Sequence, residues 1–540
     1  MDRRIIFGLG SIVALLCLVP LAGVVLAAST GSMETVSRLA DTVLWRYTST
    51  TIALVAVVAM GSIVIGTATA WLVVTSDFFG RRVLEIALAL PLTFPAYVLA
   101  YAYTDILDHP GIVQSTLRAL FGWGPRDYWF PEIRSFGGAA MVLTLVLYPY
   151  VYLMARAAFK MQGPSAFYAA LVSGASPLKA FMKVSLPMVR PAVAAGALLV
   201  VMETIADFGT VSYFSVQTFA TGIYTSWFGL YDRAAAAQLA VGLLSFAILI
   251  AALEHINRGR SRTAQKEKQV PFSRFQLQGL HAIAAQIVCA LPVLLGAIFP
   301  VIALVAMGMN SEQNLMSARY VGFIQNSLML GAIAALVTCF AALCIVSFRR
   351  FSGRFVALAA LFIARLGYAV PGIVIAVGLL VPFAAFDNWL DARMEEWFGI
   401  STGLLISGSI WLLILAYMTR FLAAGIGPYE SGLATLSPNV DSVARLYGRK
   451  ELRIVGESHV PLLRLNLLTA MLIVFVDTIK ELPATLILRP FNYDTLAVQA
   501  YRLASDERLE GAAVPSLLIA AFGLLPVIIL CRQIGADRND

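Results

Sequence analysis

The sequence predicts an all-α polytopic membrane protein of about 12 transmembrane helices, arranged as two tandem six-helix repeats of the same orientation. Three observations carry that prediction. The 540 residues are 59% hydrophobic and only 13% charged, a dozen apolar stretches are joined by loops that alternate in Lys and Arg content, and one polar loop recurs at a fixed offset.

Soluble domains hold roughly 45–50% apolar and about 25% charged residues, so this composition excludes a soluble fold. It excludes a disordered chain and a nucleic-acid binder for want of surface charge. Membrane lipid is the surroundings that remain. The formal charge of +8 reads as topology, because Lys and Arg collect in cytoplasmic loops during insertion. Cys17, Cys289, Cys339, Cys344 and Cys531 sit in or at the end of apolar stretches without metal or disulfide spacing, and read as packing residues.

A helix needs about 20 apolar residues to cross the hydrocarbon core, where its backbone must satisfy itself. Spans are expected near 5–29, 52–75, 84–104, 138–157, 191–212, 234–253, 282–307, 327–347, 367–386, 404–424, 465–487 and 512–531. One side of these spans collects Arg3 and Arg4, Arg81 and Arg82, the 156–190 stretch, the linker with Arg258, Arg260, Arg262, Lys266, Lys268 and Arg274, then Arg349, Arg350 and Arg354, and the run from Arg445 to Arg453. The other side is neutral or acidic, with Asp105, Asp108, Asp127 and Glu132 against Arg118, Arg126 and Arg134. The positive-inside rule then puts both termini of this multi-pass membrane protein in the cytoplasm. The first span resembles a secretory signal, but the even span count and the basic end with Arg532 and Arg538 favour an uncleaved helix.

The segment from Tyr168 through Gly174 to Pro187 recurs from Ser442 through Gly448 to Pro461, with thirteen residues from Gly to Pro in each. The offset of 274 also relates Arg190 to Arg464, Glu203 to Asp477, Thr204 to Thr478, Ile205 to Ile479 and Asp207 to Glu481. Pro95 has its counterpart in Pro371, so each half carries a proline-broken helix. Six spans per half keep both copies in one orientation, a parallel repeat about the membrane normal. The division is 1–254, a cytoplasmic linker 255–280, and 281–540, with the repeated loops at 160–190 and 430–464. Each loop reads as a short helix, a bend at a Gly with φ > 0, and a second short helix ended by Pro.

The loop resembles the cytoplasmic signature of permeases of binding-protein-dependent ABC importers, which runs Glu-Ala-Ala, three residues, Gly, nine residues, Ile-x-Leu-Pro. Ala169, Ala170, Gly174, Val184, Leu186 and Pro187 match it in one half, and Ala444, Gly448, Val460 and Pro461 in the other. The leading acid is replaced by Tyr168 and Ser442, with Asp441 beside the latter. The resemblance implies coupling helices that seat in an ABC ATPase dimer on the cytoplasmic side, and a periplasmic substrate-binding protein on the other. No Gly-x-x-x-x-Gly-Lys-[Ser/Thr] loop occurs in the chain, so the chain is expected to be no enzyme, to bind no cofactor, and to leave ATP to a partner subunit.

Charged groups inside spans are costly and usually line a path or meet a partner. Glu203 with Asp207, and Asp477 with Glu481, are each four residues apart near the end of a fifth span, and so are expected to share a helix face. They read as an acidic ring around a translocation path suited to a hard cation, or else as helix caps, partners of Lys480 or braces between the halves. The strings around them resemble the fused permeases of ferric-iron importers over essentially all 540 residues. No metal ligand is assigned. Related permeases carry thiamine, phosphonates, polyamines, sulfate or molybdate, so thiamine, or another small solute, is the competing substrate. A secondary transporter has no use for two docking loops, and a membrane enzyme is disfavoured because His109, His255, His281 and His459 are scattered and read as solvated or interfacial.

Overall fold

Lipid offers no hydrogen bonds, so each apolar stretch must close its own backbone as a helix. The computed structural model describes residues 2–162, 165–261, 274–353, 355–437 and 439–536. The principal helices of the first half are α1 (Asp2–Ser29), α2 (Trp45–Thr75), α3 (Arg81–Ala87), α4 (Ala96–Leu107), α5 (Phe136–Met161), α6 (Ser165–Val172), α7 (Pro177–Ala180), α8 (Leu186–Ala206), α9 (Gly209–Tyr213) and α10 (Arg233–Ser261). The second half has α11 (Gly279–Val293), α12 (Phe299–Met309), α13 (Ala318–Ser352), α14 (Phe355–Ala369), α15 (Gly372–Phe398), α16 (Ile410–Thr435), α17 (Asn439–Leu446), α18 (Glu451–Ile454), α19 (Arg464–Ile479), α20 (Pro483–Leu488), α21 (Leu496–Ser505) and α22 (Leu509–Ala536). The only strands among the described residues, β1 (Ser76–Asp77) and β2 (Phe275–Gln276), pair in parallel.

Among the described residues, nine helices are long and apolar enough to cross a membrane. The number is eleven if two bent pairs, Arg81–Thr93 with Ala96–Phe121 at 95° and Glu451–Leu462 with Arg464–Ile479 at 82°, are each one span. The expected span at 512–531 lies in α22, of which Leu509–Leu524 qualifies as a shorter apolar helix. The helices at the expected spans 191–212 and 465–487 end before those spans do. α8 stops at Ala206 and α19 at Ile479, and the chain restarts as short helices. Apolar composition continues through both breaks, which is why hydropathy missed them.

Both expected proline breaks are present. Pro95 and Pro371 stand in extended backbone, ψ 141° each, as the residues from which α4 and α15 begin. Proline has no N–H to offer the preceding turn but fits the start of a new helix.

In the first half α2, α5 and α8 pack together, and in the second α13, α16 and α19 do. The first helix of each half crosses to the other. α1 lies on α13, α14 and α15, while α11 and α12 pack against α2 and α4. The α1–α15 crossing is backbone against backbone. A Cβ added at Gly23 would fall 1.9 Å from the Gly378 carbonyl oxygen, and one at Gly378 would fall 2.0 Å from that of Pro20. Small residues allow this approach, which is how helices gain contact where lipid supplies no hydrophobic drive. Ile6 and Val13 of α1 share a core with Phe348, Val455 and Leu463, so the start of α1 and the second polar loop lie at one end of the molecule. Elsewhere Arg134 bridges Asp108 (3.3 Å) and Glu507 (2.5 and 2.7 Å), tying a first-half loop to a second-half one.

Cys17, Cys289, Cys339 and Cys344 are buried and free, as packing residues are. The side chain of Cys531, those of Arg258 and Arg260, and the whole of Arg262, Lys266, Lys268, Arg354 and Arg538 lie outside the described residues.

Candidate functional site

The breaks after α8 and α19 build the first part of the site. Asp207 leaves the helix (φ −66°, ψ 130°), and its carboxylate accepts the N–H groups of Thr210 and Val211 (both 3.1 Å) and the Thr210 hydroxyl (3.0 Å). Glu481 does the same for α20, accepting from Ala484 N (3.0 Å), Thr485 N (3.1 Å) and the Thr485 hydroxyl (2.7 Å). A carboxylate at a helix N-terminus satisfies orphan donors and meets the positive end of the dipole. The expectation that Glu203 and Asp207 share one helix face, and Asp477 and Glu481 another, is therefore corrected. In each pair the second acid lies past the helix end and caps the next helix.

All four acids nevertheless line one cavity of about 120 Å³, together with Tyr97, Tyr150, Tyr368, Arg420 and Lys480. Glu203 accepts from the Tyr368 hydroxyl (2.9 Å), a contact between the halves, and Asp477 accepts from Lys480 Nζ (2.8 Å). The wall is thus four carboxylates and two cations rather than an acidic ring, and each acid already holds a donor. Among the described residues no group of three or more His, Cys, Asp or Glu is placed to hold a metal ion. Such a wall can pass and orient a charged solute but contains no activated nucleophile.

Arg420 and Tyr368 escaped the sequence reading. Arg420 lies inside the expected span at 404–424, where the rule applied to the acids would have found it. Nothing local marks Tyr368, shortly before Pro371.

The second part of the site is the repeated loop. Gly174 (φ +87°) follows α6 and Gly448 (φ +71°) follows α17. In the first loop Gly174 N donates to Leu171 O and Ala175 N to Ala170 O, at 2.9 and 3.0 Å. In the second, Gly448 N donates to Arg445 O and Arg449 N to Ala444 O, at the same two distances. Both are Schellman caps, in which a left-handed residue lets the last carbonyls of a helix find donors. The cap explains the spacing, since Ala170 and Ala444 carry the carbonyl one helical turn before the Gly. α7 and α18 follow, and Pro187 and Pro461 then sit in the first turn of the next helix, Pro187 with Leu186 in α8 and Pro461 after Val460. Ala169 lies in α6.

Val172 and Leu446, equivalent positions of the repeat, are 89% and 86% exposed on these loops, and the equivalent pair Leu178 and Leu452 is exposed as well. Apolar side chains bare at matched places outside the spans mark a contact surface.

The loops are braced by different chemistry. Behind the first, Trp71 packs against Phe159, Phe167 and Phe181 at 4.8–5.1 Å between ring centroids. Behind the second, at the position equivalent to Phe167, stands Asp441. It pairs with His459 Nε2 (2.8 Å) and Arg350 Nε (2.9 Å), while the His459 ring stacks on Phe351. His459 is wholly buried, which corrects its reading as solvated or interfacial. Asp441, the acid next to Ser442, is an internal anchor.

Burial pushes the Asp441 carboxyl up, but the His459 and Arg350 contacts outweigh it and hold the group below the usual carboxylate range. A depressed folded value means the stabilisation is complete above the unfolded pKa of about 3.9 and is lost as pH falls through the folded value. Between pH 5 and 8 the Asp441 anchor therefore holds. Asp441→Asn strands buried donors and should loosen the loop by roughly 1–3 kcal/mol, read as faster hydrogen exchange over residues 439–462. Unchanged exchange would show the anchor to be unimportant.

At the same end of α5, Glu85 gathers Arg81 (3.1 Å), Lys160 (2.7 Å) and Arg156. Glu430, the counterpart of Arg156 in the second half, pairs with Arg365. The cation of one half thus has an acid at its counterpart position in the other, each held by an opposite charge from another helix.

No family model matches the chain. It is 27% identical to an Fe(3+)-transport system permease protein of Haemophilus influenzae, over 98% of this chain and 99% of that one. It is 25% identical to a probable ABC transporter permease protein of Sinorhizobium fredii, over 85% and 82%. The chain is similar over most of its length to ABC-transporter permeases. A ferric transport system permease protein of Actinobacillus pleuropneumoniae is 26% identical over 83% of this chain and 65% of its own length. The nine to eleven apolar helices among the described residues fit a multi-pass membrane protein of that kind.

Proposed function

We propose that this permease imports ferric iron, received from a periplasmic binding protein and driven by a separate ATPase dimer that uses the ATP. The observation that carries the substrate is similarity along nearly the whole chain to an Fe(3+)-transport permease. The cavity agrees, because a hard cation is at home among carboxylate and phenol oxygens.

The chain is two copies of one six-helix unit, 1–254 and 281–540, joined by a cytoplasmic linker at 255–280, with both termini cytoplasmic. The matched Schellman caps and the matched exposed residues Val172 and Leu446 support two equivalent docking elements, as a two-fold ATPase dimer requires. Closure of the dimer moves α6 and α17, and through them the helices that end at Asp207 and Glu481, so that the cavity opens alternately to each side. The permease itself holds no cofactor.

Uptake of radiolabelled ferric iron is expected to depend on this chain and on ATP, with thiamine uptake unaffected when the chain is deleted. Iron uptake that ignores the deletion while thiamine uptake falls would move the assignment to thiamine. Iron uptake persisting after ATP depletion would indicate a secondary transporter.

A further inference from the structure

The charges of the cavity are unevenly satisfied. Asp207 and Glu481 each accept three hydrogen bonds from the helix they cap, Asp477 holds Lys480, and Glu203 holds Tyr368. Arg420 is the exception. Its Nη1 is buried without a partner, no hydrogen bond or ion pair reaches it among the described residues, and its guanidinium lies over the Phe421 ring at 5.7 Å.

A buried donor left unsatisfied is costly, and such a group points to something that satisfies it for part of the time. The guanidinium is a rigid fork of donors that matches the two oxygens of a carboxylate or phosphate. Gly372 keeps the fork open to the cavity. A Cβ there would fall 2.5 Å from both Arg420 Nη1 and Glu481 Oε1, closing the notch between the cation and the acid.

A bare trivalent ion entering this space would meet two fixed positive charges and no carboxylate free of donors. Iron with a bound oxyanion fits both sides, the metal toward the acids and the anion toward Arg420. The volume of about 120 Å³ holds on the order of 4–8 waters, enough for a small complex that displaces them. Resting on the ferric reading above, we propose that iron crosses this permease together with a bound carboxylate or phosphate, and that Arg420 is the residue that takes the oxyanion.

Arg420→Gln removes the charge without stranding a partner, so the protein should insert in wild-type amount. Arg420→Lys keeps the charge and loses the fork. The test is chain-dependent uptake of radiolabelled iron supplied with ¹⁴C-citrate in one arm and ³²P-phosphate in the other, using intact cells that hold the whole transporter. One anion label is expected to enter with iron, and the arm in which it does so identifies the oxyanion. Both labels of that arm should fall at least tenfold in Arg420→Gln and about two- to fivefold in Arg420→Lys, at equal protein levels.

Chain-dependent entry of iron with neither anion, or normal iron uptake by Arg420→Gln, overturns the proposal and leaves the ferric assignment standing. Iron uptake indifferent to the chain removes the ferric assignment and this proposal with it.

Discussion

Gly174→Val and Gly448→Val should each cut uptake at least tenfold while leaving the protein inserted and the ATPase active. Both glycines hold left-handed backbone, at φ +87° and +71°. A β-branched residue there costs on the order of 1–3 kcal/mol. A Cβ at either site meets nothing within 4 Å, so the cost is conformational and confined to the cap. Once the cap opens, the carbonyls of Ala170 or Ala444 lose their donors and α6 or α17 no longer holds a fixed angle to the next helix. Gly174→Asn is the control, because Asn tolerates the left-handed region and should retain most of the uptake. Uptake and ATP hydrolysis measured on the same membranes decide the matter, and normal uptake by both Val variants would end the assignment of these loops as the coupling elements.

Gly378→Val should remove folded protein rather than uncouple it. Its Cβ would lie 2.0 Å from the Pro20 carbonyl oxygen, and backbone on both sides leaves no flexible side chain to move aside. Overpacking of this kind costs about 1–3 kcal/mol and more where neither element yields, so about 3 kcal/mol or more is expected here. Gly23→Val should do the same from the other side. At Gly8, also on α1, a Cβ meets nothing within 4 Å, and Gly8→Ala should be neutral or stabilising by about 0.5–1 kcal/mol. Thermal unfolding in detergent compares the three. A Gly378→Val protein as stable as the wild type would mean that α1 is not seated on α15.

The two loops were legible because their information is local. A Schellman cap is confined to the last turn of one helix, and Ala170, Gly174 and Pro187 with Ala444, Gly448 and Pro461 announce it twice at one spacing. The cavity acids were legible as charges inside apolar runs, but their geometry was not. Whether Asp207 continues α8 or leaves it depends on Thr210 and Val211 turning back to its carboxylate, and helical periodicity carries no sign of that turn. Arg420 was missed as a single charge in a span, and Tyr368 because its partner Glu203 belongs to the other half of the chain.

By itself the sequence determined that the chain lives in a membrane, roughly where it crosses, that one polar loop occurs twice, and that carboxylates gather near the ends of two spans. These follow from solvation and short-range backbone chemistry, which act on neighbours in the chain. The tertiary structure alone decided that the first helix of each half packs on the other half, and that Phe167 and Asp441 brace matched loops by aromatic stacking in one and an ion pair in the other. It also decided that Arg156 meets Glu85 while its counterpart Glu430 meets Arg365, and that Arg420 has no hydrogen-bond or ion-pair partner among the described residues, beside four occupied acids. Those outcomes depend on which surfaces meet between segments far apart in the chain. A close crossing such as Gly23 on Gly378, or a charge pair that works with either sign, leaves no local pattern to read.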